Sequence, residues 1–197
     1  MRLLRALAAL LAIATVSGCA AVVVAGAAGG VMVASDRREP DTVVADERIE
    51  ITAANRIRTA LQDKAHVNVT SFNRTVLLTG EATTDAQRDE AERIARAVPE
   101  VRKIVDEIAI RPPSSLTARS GDAITTSQVK SRMIGAQEFN SLHVKVVTEA
   151  SVVYLMGLVT AKEADAATQV ARTTAGVSKV VQVFELIPEP APQAKTN

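Results

Sequence analysis

Three residue types in this 197-residue chain could carry chemistry: a thiol, two imidazoles and a set of carboxylates. The thiol is Cys19, the only cysteine, so no disulfide can close within the chain. Its candidate roles are acceptor of an acyl group or incidental buried thiol. The imidazoles are His66 and His143, each placed just before an apolar, alternating segment. A metal shared by them would require both to meet, with further ligands; packing or solubility at a strand entry is the reading the spacing favours. No Ser-His-Asp or Cys-His grouping stands out. The carboxylates stud helical stretches such as "DAQRDEAER", the pattern of a solvated face. "GAAGG" (26–30) follows no strand and precedes no GK[ST], so it is not a phosphate loop. These residues point away from an enzyme, and no cofactor or metal is expected.

The position of Cys19 gives it a role. Arg2 and Arg5 form a short basic start, and residues 6–17 carry no charge. That run is too short to span a bilayer, which takes about 20 apolar residues, but it suits the hydrophobic part of a signal peptide. It ends in "VSGC", residues 16–19, which resembles the lipobox of bacterial lipoproteins: an apolar residue, two small residues, then the acylated cysteine. The resemblance implies cleavage after residue 18 and a lipid anchor on Cys19. Ala20, which is not aspartate, implies sorting to the outer membrane, on its periplasmic face. Residues 20–34 are apolar but rich in Ala and Gly. Read with residues 6–17, they leave open an uncleaved hydrophobic anchor. Gly26, Gly29 and Gly30 weaken such a helix, and a small-residue tether over 19–45 is the preferred reading.

Composition narrows the partners. The chain has 23 basic and 22 acidic residues, and Arg2 and Arg5 leave with the signal peptide, so the mature chain is near neutral. Aromatics are 2 %. Neither a basic field nor stacking platforms for single-stranded nucleic acid are present in the composition.

The elements that must position any site follow from an internal repeat. "HVNVTSFNRTVLLTG" (66–80) aligns without a gap on "HVKVVTEASVVYLMG" (143–157), matching His66/His143, Val67/Val144, Val69/Val146, Val76/Val153, Leu78/Leu155 and Gly80/Gly157. Alternation with a polar break predicts a β-hairpin with one buried face. Gly80 and Gly157 read as backbone requirements at its exit. A helix follows each hairpin, with Ala91, Ile94, Ala95 and Val98 on one face in the first copy and Ala167, Val170, Ala171 and Thr174 in the second. Closing strands are predicted at 101–110 and 177–187. An opening helix precedes each hairpin, one carrying Ile49, Ala53, Ile57 and Leu61, the other running from about Asp122 to Ile134. The unit is αββαβ, used twice (46–110 and 122–187), with a linker over 111–121 and a tail over 188–197. Two helices on one face of a three-stranded mixed sheet make an α+β fold.

With these residues in hand, the chain resembles the BON-domain family. The marks are the hairpins ending in "LLTG" and "YLMGLVT", the helix after each, and the "EVRKI" and "GVSKV" entries to the last strands. A lipobox followed by two such domains is similar to the dual-BON outer-membrane lipoproteins. That resemblance implies a non-enzymatic protein that binds anionic phospholipid mainly through its second domain, supports outer-membrane integrity and associates with the division site. One departure is visible: the family's second domain often opens with an aromatic-bearing helix, and Ile124 stands at that position here. A tryptophan would suit a membrane interface, so its absence bears on binding strength.

On a wheel of 3.6 residues per turn, Thr126, Val129 and Met133 share the expected core face of this helix. Ile124, Gln128 and Arg132 point away, with Lys130 and Ile134 on the other flank. An apolar residue turned outward between cations is what an interfacial helix needs; the alternative is that Ile124 folds back onto the sheet edge. Ile124, Gln128, Lys130, Arg132 and Ile134 are therefore the candidate lipid contacts. The opening helix of the first domain, with Asp46, Glu47 and Glu50, is expected to be repelled by an anionic surface. Two function classes remain: a module docking on anionic phospholipid membrane, and a periplasmic adaptor whose domains bind an envelope protein partner, lipidation fixing location only. Oligomeric state is not legible. Cys19→Ser is expected to abolish anchoring, since stable anchoring takes more than one acyl chain. Metabolic labelling with a palmitate analogue checks this, and label retained on the serine variant contradicts it.

Overall fold

The computed structural model describes residues 36–189. The expected signal peptide (1–18), Cys19, the expected tether up to residue 35 and the expected tail from residue 190 lie outside the described residues. Helix α1 runs Pro40–Leu61. A proline in the first turn sacrifices no helical hydrogen bond, and the four-residue spacing of Ala45, Ile49, Ala53, Ile57 and Leu61 buries one stripe. The helix thus takes in the last residues of the expected tether. Strands β1 (Ala65–Phe72) and β2 (Thr75–Ala82) form the antiparallel hairpin, with Val67 opposite Gly80 and Val69 opposite Leu78. Helix α2 (Asp85–Arg96) starts at Thr84, whose hydroxyl accepts the Gln87 N–H.

The predicted closing strand 101–110 is two pieces, β3 (Lys103–Asp106) and β4 (Ala109–Ile110), both parallel to β2. Between them the Asp106 carboxylate accepts the Ile108 N–H, and Ile108 turns into the core. That local hydrogen bond diverts the chain from the sheet ladder.

In the second copy, helix α3 is Leu116–Ile134. It begins six residues before Asp122 and absorbs half of the expected linker. The reason is local: Ser115 caps it, accepting the Ala118 N–H, just after the two prolines that cannot continue a helix. Strands β5 (Val144–Glu149), β6 (Val152–Val159) and β7 (Lys179–Leu186) and helix α4 (Ala161–Arg172) complete the unit. Thr160 and Glu163 form a reciprocal capping box at α4. Each sheet is mixed, with β2 or β6 central, antiparallel to the hairpin partner and parallel to the closing strand. The core face of α3 is Thr125, Val129 and Met133. Thr126, expected there, is half-buried and donates from its hydroxyl to Thr148 at 2.7 Å.

Helices cover only one face of each sheet. Core one joins α1 and α2 to Val76, Leu78 and Ala82; core two joins α3 and α4 to Val153, Leu155 and Val159. The opposite sheet faces pack on each other. Phe72 and Leu77 from the first copy meet Tyr154, Met156 and Leu158 from the second, with Val105, Val147, Val181 and Val183 around them. The layers therefore run helix, sheet, sheet, helix. This is where the expectation of a hairpin with one buried face fails: β2 from Val76 to Ala82 and β6 from Val153 to Val159 are buried on both faces. Burial, with the nearby Glu107 and Glu149 carboxylates, pushes the Tyr154 hydroxyl up to about 12. Polar ties rim the contact: Lys145 to Glu50 at 2.5 Å, Asn73 to Glu185 at 2.7 Å, and Arg37 to both carboxylate oxygens of Glu163. The Arg37 guanidinium holds the Glu163 carboxyl below its ordinary value.

Both hairpin turns use non-glycine residues at positive φ: Asn73 and Arg74 in one, Ala150 and Ser151 in the other. This geometry ordinarily selects Asn-Gly. An aspartate from each opening helix stabilises it. Asp46, buried, accepts the N–H groups of Asn73 and Arg74 and the Ser71 hydroxyl. Asp122 accepts the N–H groups of Ala150 and Ser151 at 2.8 Å each.

At Gly80 a Cβ would lie 2.0 Å from the His66 carbonyl oxygen, and at Gly157 2.3 Å from that of His143. The close approach of the two hairpin strands excludes a side chain. Gly157→Ala should therefore cost about 1–3 kcal/mol or more through forced backbone shifts. Gly121→Ala, in α3 with nothing within 4 Å of its Cβ position, should stabilise by about 0.5–1 kcal/mol. Denaturant midpoints read both, and a shift of the same sign for the two would contradict this account.

Candidate functional site

Helix α3 packs Thr125, Val129 and Met133 inward, which obliges the remaining face to look out. Three of its large apolar residues lie there: Leu116 is 77 % exposed, Ile124 60 % and Ile134 74 %. At 3.6 residues per turn Leu116, Ala123, Ser127 and Ile134 form one row, with Ile124 and Ser131 in the row beside it. Ala123, Ile124, Ser127, Gln128 and Ser131 together line a shallow concavity. Gln128 and Lys130 are exposed, and Lys130 flanks the Leu116 row, whereas the half-buried Arg119 donates to the Ser114 hydroxyl and carbonyl. The one acid of this helix, Asp122, is committed to the β5–β6 turn. The surface is thus an apolar stripe of small and branched residues beside Lys130, in a helix capped by an uncharged serine.

Arg132 has a second occupation that the helix wheel could not reveal. Its guanidinium donates to the Thr174 hydroxyl at 2.9 Å and the Thr173 hydroxyl at 3.0 Å, tying α3 to the end of α4. Of the five candidate contacts, Ile124, Gln128, Lys130 and Ile134 stand on the exposed surface with no such tie among the described hydrogen bonds, whereas Arg132 holds the fold as well.

The expected contrast with the first copy needs correction. Of the three acids in α1, Asp46 is buried on the β1–β2 turn, and Glu50 accepts the Ser71 N–H and pairs with Lys145. Only Glu47 of these three is an exposed acid. Repulsion of α1 from an anionic surface rests on fewer charges than the sequence suggests. Its outward apolar residues are Val44 and Ile51, 57 % and 59 % exposed.

The histidines occupy equivalent hairpin positions in different surroundings. His143 Nδ1 lies 3.9 Å from Glu163, which Arg37 also engages. His66 lies beside Glu81 and Glu149. Among the described residues no helix is long and apolar enough to cross a membrane.

Comparison with known proteins agrees with the repeat. The family model described as "BON domain" matches residues 46–112 and 121–188. The chain is 36 % identical to the outer membrane lipoprotein DolP of Haemophilus influenzae over 172 residues, covering 86 % of this chain and 89 % of that protein. It is 33 % identical to a 21 kDa hemolysin of Actinobacillus pleuropneumoniae over 154 residues, 77 % of this chain and 79 % of that protein. It is 30 % identical to osmotically-inducible protein Y of Escherichia coli over 133 residues, 64 % and 66 % of the two chains.

Proposed function

This chain belongs to the BON-domain family, and from that premise we propose that it is an outer-membrane lipoprotein, anchored through Cys19, whose second domain docks on anionic phospholipid by the outward face of α3. Its role is to support outer-membrane integrity, at the division site among other places. The relative named an outer membrane lipoprotein supports the location. The observation that carries the docking surface is that Leu116, Ile124 and Ile134 are exposed along one helix whose single acid is turned inward and whose exposed Lys130 lies beside them.

The energies are modest and additive enough to matter. Fully burying a side chain such as isoleucine is worth about 1.5–3 kcal/mol, and partial insertion less. A lysine or arginine near an anionic surface adds about 1 kcal/mol. One α3 face therefore gives weak, reversible docking on its own, and the acyl anchor supplies the residence that turns it into lasting contact. The domain orients what the lipid chains hold.

The fragment 36–197, which holds every described element, separates this reading from that of a protein adaptor. It should float with vesicles containing anionic phospholipid and fail to float with neutral ones. Ile124→Glu should weaken that binding several-fold with little change in melting temperature, and Lys130→Glu should weaken it in a salt-sensitive way. Val129→Glu, in the core, should unfold the domain. Equal flotation of the Ile124→Glu variant, or none by the unmutated fragment, would contradict the proposal, the second outcome favouring the adaptor.

A further inference from the structure

The contact between the two copies is apolar at its centre, yet near β4 it holds two buried carboxylates. Glu81, on β2, has a side chain with no exposure; Glu149, at the end of β5, is 7 % exposed. His66, opposite Glu81 on β1, completes the group. One ligating atom from each of the three lies within 4.8 Å of the others. We propose that His66, Glu81 and Glu149 bind a divalent transition cation of the zinc class, which clamps the first copy to the second.

Four observations carry this. The first is an orphaned oxygen. Glu81 Oε1 accepts from the Arg111 guanidinium at 2.9 Å, while Oε2 is buried and has no hydrogen-bond partner among the described residues. Buried carboxylate oxygens are ordinarily satisfied. The second is the donor set. An imidazole nitrogen with two carboxylates suits zinc and its neighbours in the first transition row, whereas calcium and magnesium prefer all-oxygen shells. Donor atoms around a tetrahedral zinc stand about 3.3–3.6 Å apart, so side-chain rotation of roughly 1 Å closes the site.

The third is a fourth position. Asn68 is exposed at the mouth, its side-chain nitrogen donating to Glu149 Oε2 at 2.7 Å and lying 3.4 Å from His66 Nε2. That contact places a ring nitrogen of His66 toward the carboxylates. Rotation of the amide would offer an oxygen ligand, and its departure would leave a water position, the open coordination that zinc sites commonly keep.

The fourth is that the repeat does not account for the cluster. In the register that aligns His66 with His143, Glu81 falls on Leu158, Asn68 on Lys145, and Glu149 on Phe72. The equivalent end of the contact is apolar at two of these three positions, and Leu158 and Phe72 lie in the shared core. Two buried acids facing each other across the copies add repulsion that a packed interface does not need, and a cation between them would turn it into attraction.

The test uses the full chain, stripped of metal by a chelator and titrated with zinc. Binding of one zinc per chain, with a rise in melting temperature on zinc addition, is expected. His66→Gln and Glu149→Gln should each weaken affinity about tenfold or more, and His143→Gln, at the equivalent position of the other copy, should leave it unchanged. No binding at about 100 μM zinc, or affinity unaltered by His66→Gln, overturns the site. Should a variant unfold, the unmutated chain with cobalt(II) decides: the strong visible bands of a four- or five-coordinate ion support the site, and the spectrum of the hydrated ion overturns it.

Discussion

A three-stranded sheet with both helices on one face leaves its other face to be covered. In this chain every large-scale feature follows from how that face is buried. Leu77 and Phe72 on one sheet and Tyr154, Met156 and Leu158 on the other are apolar residues that neither domain could keep in water without cost. The two domains cover each other, and the contact makes the central strands β2 and β6 interior on both faces. Separated, each domain would present an apolar sheet, the kind of surface that promotes association. The repeat is accordingly a structural pair, with the short segment after Arg111 leading directly into a helix that packs in the second unit.

This arrangement decides which surfaces remain for function. Because the sheets face inward, the helices form the outer layers, and the α3 face bearing Leu116, Ile124 and Ile134 looks to solvent. Asp46 and Asp122, which a charge count along the helices would place against a membrane, are occupied with the hairpin turns. The same contact also brings His66 and Glu81 of one unit to Glu149 of the other, a juxtaposition that no single unit contains.

Much of the fold was legible because the repeat supplied two independent copies of the same pattern. The αββαβ order, the stripe Ile49, Ala53, Ile57 and Leu61, and the inward placement of Val129 and Met133 all follow from spacing alone. Helix starts depart from the periodicity where capping outweighs it: Ser115 opens α3 inside a stretch rich in Ser, Pro and Gly, and Pro40 opens α1 in what reads as tether. The burial of the second sheet face is not legible from alternation, which reports which residues share a face and says nothing of what covers the other one. The continuous apolar run of β6, "VVYLMGLV", was the available signal for burial on both faces. Arg132 and Glu81 illustrate a different limit. Their partners, Thr173 and Thr174 for one and Arg111 for the other, are distant in sequence, and nothing in the local pattern announces them.

The central claim is that the two domains share one core and one cooperative folding unit. Native-state hydrogen exchange tests it most directly, since it reads the opening free energy of each strand separately. The amides of Val76–Ala82 in β2 and Val153–Val159 in β6 should exchange through the same global opening, with equal free energies and equal denaturant dependence. Protection of β6 that persists under conditions where β2 has already exchanged would show two independent domains and contradict the account.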